Sequence, residues 1–342
     1  MSVVAVESLL RPVAPDTPCG ENLEYGAVHE LSALAAGKPE RQQGEKIVPA
    51  EEPSWDEVKQ QAVELFSKTK DLRVAAALTQ SLVRTDGLLG LSDGLEVVSQ
   101  LLHSHWGGVH PQPESDAPND YTIRLSALAF LDDLESLLNP IRRAHLVAAP
   151  AHGRFSLRDI QLAAGKIRPG KDENPPQAAA VEAAFRECDI AQLRALLQAV
   201  ERSLQHAGGI ESLWAANTGA HDLTLVRLTE LLQEIRKELQ SALASHPAAV
   251  AEDVVQGTDG AQPGPAAAPF AGLVRSREDI IRVLDSACDY LARHEPSSPV
   301  PLLLQRAKRL MVKDFMQIIQ DLAPDAVEQV AKIGGIDSQS SS

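Results

Sequence analysis

The sequence predicts an all-α fold: a helical N-terminal body, a flexible Pro/Gly/Ala linker and a small helical C-terminal oligomerisation domain. Three observations carry that prediction. Alanine and leucine dominate a 44% hydrophobic content while aromatics make up only 4%, a balance that favours packed helices over sheets. Apolar residues recur at helical spacing over most of the first 245 positions. Between 246 and 272 the leucine stripes give way to prolines 247, 263, 265 and 269, glycines 257, 260, 264 and 272, and many alanines. A flexible linker of that length reaches about 25–30 Å between its ends.

Taken in order, the chain begins with an extended arm through Pro12, Pro15 and Pro18 to Cys19-Gly20-Glu21-Asn22-Leu23-Glu24-Tyr25. A helix then carries Tyr25, Val28, Leu31 and Leu34 or Ala35 on one face and ends at Gly37, and residues 38–53 form a polar loop. Ser54 with Glu57 makes a capping box for a helix bearing Val58, Ala62, Leu65 and Phe66. Leu72, Ala75, Ala76, Thr79, Leu82 and Val83 form the next stripe, closed by Gly87. Ser92 is placed as the N-cap of a helix with Leu95, Val98, Leu101 and Leu102, ending at Trp106-Gly107-Gly108.

Tyr121 to Leu138 continues helically and stops at Asn139-Pro140, which closes the first helical domain, 1–145. The continuation, 146–245, opens with a short hairpin between Leu146 and Leu157, the only β structure expected, and Ser156 with Asp159 caps the helix after it. Lys166 to Pro176 is a polar loop. Asp189 opens a long helix through Ile190, Leu193, Leu197, Val200 and Leu204 to Gly208-Gly209, and Leu225, Leu228, Leu232, Ile235 and Leu239 line one more. Trp55, Trp106 and Trp214 sit at helix ends, where large rings anchor a core.

Residues 273–337 form the last domain, with a Ser-rich tail, 338–342, expected to be disordered. Ser276 caps a helix whose stripe is Ile280, Ile281, Leu284, Cys288 and Leu291. In Glu295-Pro296-Ser297-Ser298-Pro299-Val300-Pro301, the prolines and serines stop that helix and start the next, with Ser298 as N-cap and Pro299 at the first helical position. Leu302-Leu303-Leu304 make the new helix apolar on more than one face, so it needs a cover. Leu310, then Phe315, Ile318, Ile319 and Leu322, and a last helix from Pro324 to Gly334-Gly335 complete it. A domain of about 65 ordered residues without a disulfide is near the limit for one self-sufficient core. Self-association through Pro296, Pro299, Val300, Leu302, Leu303, Leu304, Leu310 and Phe315 is the physical remedy.

The formal net charge of −15 and the pI of about 5.1 argue against a nucleic-acid footprint or an anionic membrane surface. From 273 on, nine Lys and Arg face ten Asp and Glu, a net of −1, which leaves −14 for the part before. Cys19, Cys188 and Cys288 show no paired spacing, which suits a reducing compartment. The N-terminus lacks the basic and apolar regions of a signal peptide, and no run of about 18 apolar residues is present to span a bilayer. The expected location is the cytoplasm.

Four features suggest chemistry. Gly90-Leu91-Ser92-Asp93-Gly94 matches a nucleophile elbow, but the elbow needs a buried strand before its serine, and a helix precedes this one. Gly165-Lys166-Ile167-Arg168-Pro169-Gly170-Lys171-Asp172 approaches a P-loop, yet ends in Asp where Ser or Thr should hold magnesium and lacks a leading strand. His103, His105 and His110 do not have the spacing of ligands on one helix face, and Asp132-Asp133 reads as an exposed edge. No catalytic residue, cofactor or metal ligand is expected.

Both ends of the chain resemble one family. Tyr290-Leu291-Ala292-Arg293-His294-Glu295-Pro296-Ser297-Ser298-Pro299, with Leu302 to Leu310 and Phe315 to Ala326, resembles the C-terminal ending of the TssA family (ImpA-type proteins) of bacterial type VI secretion. Pro18, Gly20, Leu23 and Tyr25, the Pro53/Trp55/Val58 start, Asp71 and Arg73 in Lys70–Ala75, Gly87 to Leu91, Trp106 and His110-Pro111 resemble its N-terminal domain. The resemblance implies a non-enzymatic scaffold whose C-terminal domain assembles into a ring. The ring would help assemble or prime the baseplate and the tube and sheath of a contractile tail. Its expected partners are itself, baseplate, sheath and tube proteins, the sheath-recycling ATPase and the membrane complex. Longer family members carry an extra domain that this short type lacks, which leaves a cap on the growing sheath as the alternative role. A hydrolase using Ser92 and a helical adaptor outside secretion are the readings from other classes.

Overall fold

The computed structural model describes residues 2–38, 40–43, 46–170, 173–248, 280, 281, 284, 287, 288, 291 and 300–311. The chain divides into two compact units, Met1–Asp259 and Gly260–Ser342. In the first, α1 (Val6–Leu9), a π turn (Glu24–Val28), α2 (His29–Ala36), a hairpin β1–β2 (Arg41–Gln43, Lys46–Val48), α3 (Trp55–Leu65) and α4 (Leu72–Ser104) come first. They are followed by α5 (Thr122–Leu128), a 3-10 turn (Ala129–Asp132), a second π turn (Leu134–Leu138), α6 (Asn139–Arg143) and the hairpin β3–β4 (His145–Ala149, Gly153–Ser156). Then come α7 (Leu157–Ala163), α8 (Ala178–Glu187), α9 (Ile190–Thr218) and α10 (Val226–Ser245). The second unit is described mainly at α11 (Val300–Met311).

Helix α4 is the axis of the first unit. It is apolar around most of its circumference, with Leu78, Leu82, Leu91, Leu95 and Leu101 fully buried, and such a helix must be enclosed. α3 and α9 pack along it and α10 packs on α9, so residues 146–245 share one core with the residues before them. Gly87 breaks α4 into two pieces with φ 63° and ψ −139°, a conformation open to glycine but strained for other residues. The piece after the break then crosses close to the one before it. A Cβ on Gly90 would stand 2.3 Å from the Leu82 carbonyl oxygen, and one on Gly94 2.7 Å from the Thr79 hydroxyl. The glycines of the elbow-like motif therefore serve a tight crossing inside α4.

Ser92 lies mid-helix and fully buried between those glycines, not at an N-cap, and its hydroxyl meets no protein partner among the described residues. Its neighbour Asp93, also buried, accepts hydrogen bonds from the Ser2 hydroxyl at 2.9 Å and the Val4 amide at 3.1 Å, and from the Val3 amide. A carboxylate in the core is tolerated because it holds the N-terminal arm through charge-assisted bonds. Ser92→Ala deletes an unpartnered hydroxyl, so the melting temperature should hold or rise slightly, and secretion should be unchanged. Loss of secretion with an unchanged fold would restore the hydrolase reading.

Several expected boundaries move. Ser54 is the N-cap of α3, but its side chain makes no capping hydrogen bond. The stretch 38–53 contains the β1–β2 hairpin, and α8 follows the 166–176 loop. Asn139-Pro140 does not stop a helix; Pro140 sits in the first turn of α6, where its missing N–H is harmless. The stop falls earlier, at Asp133, whose extended backbone and side chain cap the following turn. Asp132 is no exposed edge: it accepts from the Arg227 side chain and the Leu228 amide, both at 2.9 Å, and so ties the start of α10 to the 3-10 turn. α9 runs through Gly208-Gly209, because Ala207, Ile210 and Trp214 continue its buried stripe to Gly219.

The expected hairpin and two caps are present. β3 pairs antiparallel with β4, Ser156 and Asp159 form a reciprocal capping box, and Asp189 caps α9. His206, on α9, has its basicity lowered by burial and by Arg202, against an opposing pull from Glu96, and His105 is lowered by burial and Lys70. A depressed imidazole contributes stability that is complete above its unfolded pKa and is lost as pH falls through its folded one. The melting temperature should therefore fall from about pH 6.5 downward, and His206→Gln should flatten that fall.

Candidate functional site

The motif residues of the N-terminal unit converge on a knot of three segments. Gly20 bridges to Thr69, the Lys70 amide donates to the Cys19 carbonyl at 2.7 Å, and the His110 amide donates to the Lys70 carbonyl at 2.9 Å. The Leu72 amide returns to the His110 carbonyl at 2.8 Å, so the arm, the start of α4 and the loop after α4 form a short three-stranded ladder. Asp71 terminates it as the N-cap of α4, accepting from the Arg73 amide at 2.7 Å. The Arg73 guanidinium clasps the same carboxylate, at 3.0 Å and 2.7 Å, and reaches Glu24 at 3.0 Å. Burial opposes the Arg73 charge, but these carboxylates outweigh it and hold the group above its ordinary value.

The knot is buried and polar. Lys70 is almost wholly enclosed, with its amine pushed down by burial; Nζ donates to the Phe66 carbonyl and stands 5.8 Å from the Phe66 ring centre. Burial raises the Cys19 thiol, against the pull of Lys70 and Arg124. Arg124 locks the loop after α4 by donating to the carbonyls of Pro111 at 2.7 Å, Trp106 at 3.0 Å and Val109 at 2.7 Å. Its guanidinium lies 4.9 Å from the Trp106 ring centre, and Trp106 packs against Tyr121 at 5.3 Å and Trp214 at 5.9 Å. Trp214 is buried and donates to Asp222 at 2.7 Å, whereas Trp106 is half-buried.

Gly20, Asp71, Arg73, Trp106 and Pro111 thus meet in the knot, with Leu23 half-buried beside the Glu24 turn and Pro18 exposed at its edge. Gly87 stands apart at the α4 break, and half-buried Trp55 lies under the Arg84 guanidinium at 4.0 Å. Tyr25 departs most from expectation. The sequence puts it on one helix face with Val28 and Leu31, but the π turn and the kink at Gly26 turn it outward, leaving it 97% exposed. Arg124 was not anticipated; a single arginine beside Ile123 resembles any solvated helix position.

The loop that resembles a P-loop is tied down by ion pairs. Arg158 holds Glu173 at 2.6 Å, Glu173 accepts from the Gly170 amide at 2.9 Å, and Lys166 points to Glu238 at 3.4 Å; Lys171 and Asp172 lie outside the described residues. Among the described residues no group of three or more His, Cys, Asp or Glu could hold a metal ion, and no helix is long and apolar enough to cross a membrane.

In the second unit, α11 exposes Val300, Leu302 and Leu303 at 41%, 70% and 63%, while Leu304 is half-buried. Leu310 lies on α11, its side chain outside the described set; Ser276, Pro296, Ser298, Pro299 and Phe315 lie outside the described residues, as do most of the linker and the last helix.

A family model for the N-terminal region of ImpA, of the type VI secretion system, matches residues 10–133, which contain the whole knot. Along nearly its full length, 98%, the chain is 40% identical to the type VI secretion system component TssA1 of Pseudomonas aeruginosa, covering 99% of that protein. The chain belongs to the TssA family. Among solved structures it shares its fold with the N-terminal domain of the TssA component from Burkholderia cenocepacia, which includes the conserved ImpA_N region. That match has a TM-score of 0.55 and 23% identity over 69% of this chain and 92% of that one. In this TssA chain Asp71 and Pro111 lie buried in the knot, whereas Tyr25 and the α11 residues Leu302 and Leu303 are exposed.

Proposed function

We propose that this TssA-family chain is a non-enzymatic scaffold of the type VI secretion machine. It self-assembles through its C-terminal domain, 273–337, into a ring and helps assemble or prime the baseplate and the tube and sheath of the contractile tail in the cytoplasm. The observation that carries this reading is the exposed apolar run Val300, Leu302 and Leu303 on α11. Leucines left in water on a short helix of a small unit are stabilised by a second copy. A ring would display the first unit repeatedly on linkers, turning weak single contacts into strong multivalent ones. Its charge of −14 favours basic surfaces on the baseplate, sheath and tube proteins, the sheath-recycling ATPase or the membrane complex.

The test is the native mass of the full chain beside the Leu302→Asp/Leu303→Asp variant. A discrete high oligomer that falls to monomer in the variant, with loss of secretion, is the expected result. An oligomer that survives both charges would overturn the assignment of α11 as the contact.

A further inference from the structure

We propose that the surface around Trp106 and Tyr121 is a docking groove for an extended, proline-containing, positively charged peptide of a partner protein. Both rings are half-buried, so each shows an edge or face to solvent over a depression of about 260 Å³ that Pro113, Pro118 and Glu114 also line. That volume is below the scale of a drug-sized site and suits one or two side chains of a peptide. A partly exposed Trp–Tyr pair flanked by prolines is the kind of surface on which polyproline II ligands dock. Their rings stack on the aromatics, and the ligand is already extended, so little entropy is lost on binding.

Charge selects the occupant further. The loop from 112 to 121 carries Glu114, Asp116 and Asp120 and no Lys or Arg, and all three carboxylates are exposed. Arg124, the cation beneath, is buried with its guanidinium directed at the carbonyls of Pro111, Trp106 and Val109, so it offers no free fork to an anionic ligand. The loop is also preformed. Turns join Ala117 to Glu114 and Asp120 to Ala117, Gln112 donates to the Val109 carbonyl at 2.8 Å, and the Asp120 carboxylate accepts from the Thr122 amide at 2.9 Å. A groove held in one shape, with two aromatic rings and two prolines in its lining and carboxylates along its loop, fits a Pro-x-x-Pro segment flanked by Arg or Lys. It does not suit an acidic segment or a nucleic acid.

The experiment titrates the full-length protein against a fluorescein-labelled decapeptide with one arginine followed by a Pro-x-x-Pro run, read by anisotropy. Saturable binding is expected. Replacing the peptide's prolines by alanine, or its arginine by glutamate, should each weaken it by about tenfold. Glu114→Lys/Asp116→Lys, two exposed changes that leave the knot intact, should weaken binding about fivefold and lessen its salt dependence. Tyr121→Ala should abolish it, with melting temperature as the control for folding. Absence of saturable binding, equal binding of the alanine peptide, or indifference to the rim reversals would each overturn the proposal.

Discussion

Arg124→Met is expected to destabilise the N-terminal unit by about 3–5 kcal/mol in urea unfolding. The methionine keeps the unbranched aliphatic stem but removes every N–H of the fork and the guanidinium that lies over the Trp106 ring. Three carbonyls, those of Pro111, Trp106 and Val109, then lose a charge-assisted donor at once. Arg124 itself is only 2% exposed, so water is poorly placed to replace its fork. Arg124→Lys should recover little, because a single ammonium cannot reach three carbonyls set around a planar fork. Near-ultraviolet circular dichroism should report the loosening of the Trp106–Tyr121–Trp214 cluster. A loss below about 1 kcal/mol would mean that the ladder of the knot holds the loop without the arginine.

How much of this was legible in the sequence follows from what kind of signal each residue carried. The helices with leucine stripes were readable because burial on one face leaves a period, and Asp189 and Ser156–Asp159 were readable because caps are local chemistry. α8 was not, since its buried positions are Val181 and Ala184 among other alanines, which give little contrast. In the β1–β2 hairpin, β1 is wholly polar and β2 is only Lys46-Ile47-Val48, too short to show an apolar alternation. Gly208-Gly209 and Asn139-Pro140 carry genuine local preferences for ending a helix that were overridden: the first by the buried Ile210 and Trp214 beyond it, the second by a helix beginning there.

The motif residues were found by resemblance, yet their roles were not readable from it. Tyr25 and Gly20 occupy the same short arm, but one is 97% exposed and the other is locked against the Lys68 carbonyl. The hub of the knot, Arg124, and the anchor of the arm, Asp93, are single charges whose partners, mostly backbone groups, come from other segments. No local pattern announces such a pairing. Pattern reading assigns charges to the surface, and these two are the exceptions that fix where the arm and the loop go.

Gly20→Ala is expected to be the most damaging small substitution in the chain, with a loss of about 4 kcal/mol or more and little folded protein at 37 °C. Gly20 has φ 69°, which alone costs an alanine about 1–2 kcal/mol. The added methyl would also stand 2.1 Å from the Lys68 carbonyl oxygen and 3.2 Å from the Thr69 Cα. Both are backbone atoms, so no side chain can swing away, and relief requires the arm to leave the ladder. Leaving it breaks the hydrogen bond from the Lys70 amide to the Cys19 carbonyl and uncovers Lys70 and Cys19, both buried in the knot. Gly107→Ala is the matched control: its Cβ meets nothing within 4 Å and its φ is not positive, so its effect should stay within about 0.5 kcal/mol. If the two variants melt together, the arm is not part of the cooperative unit, and the knot does not hold the first unit of this TssA chain together.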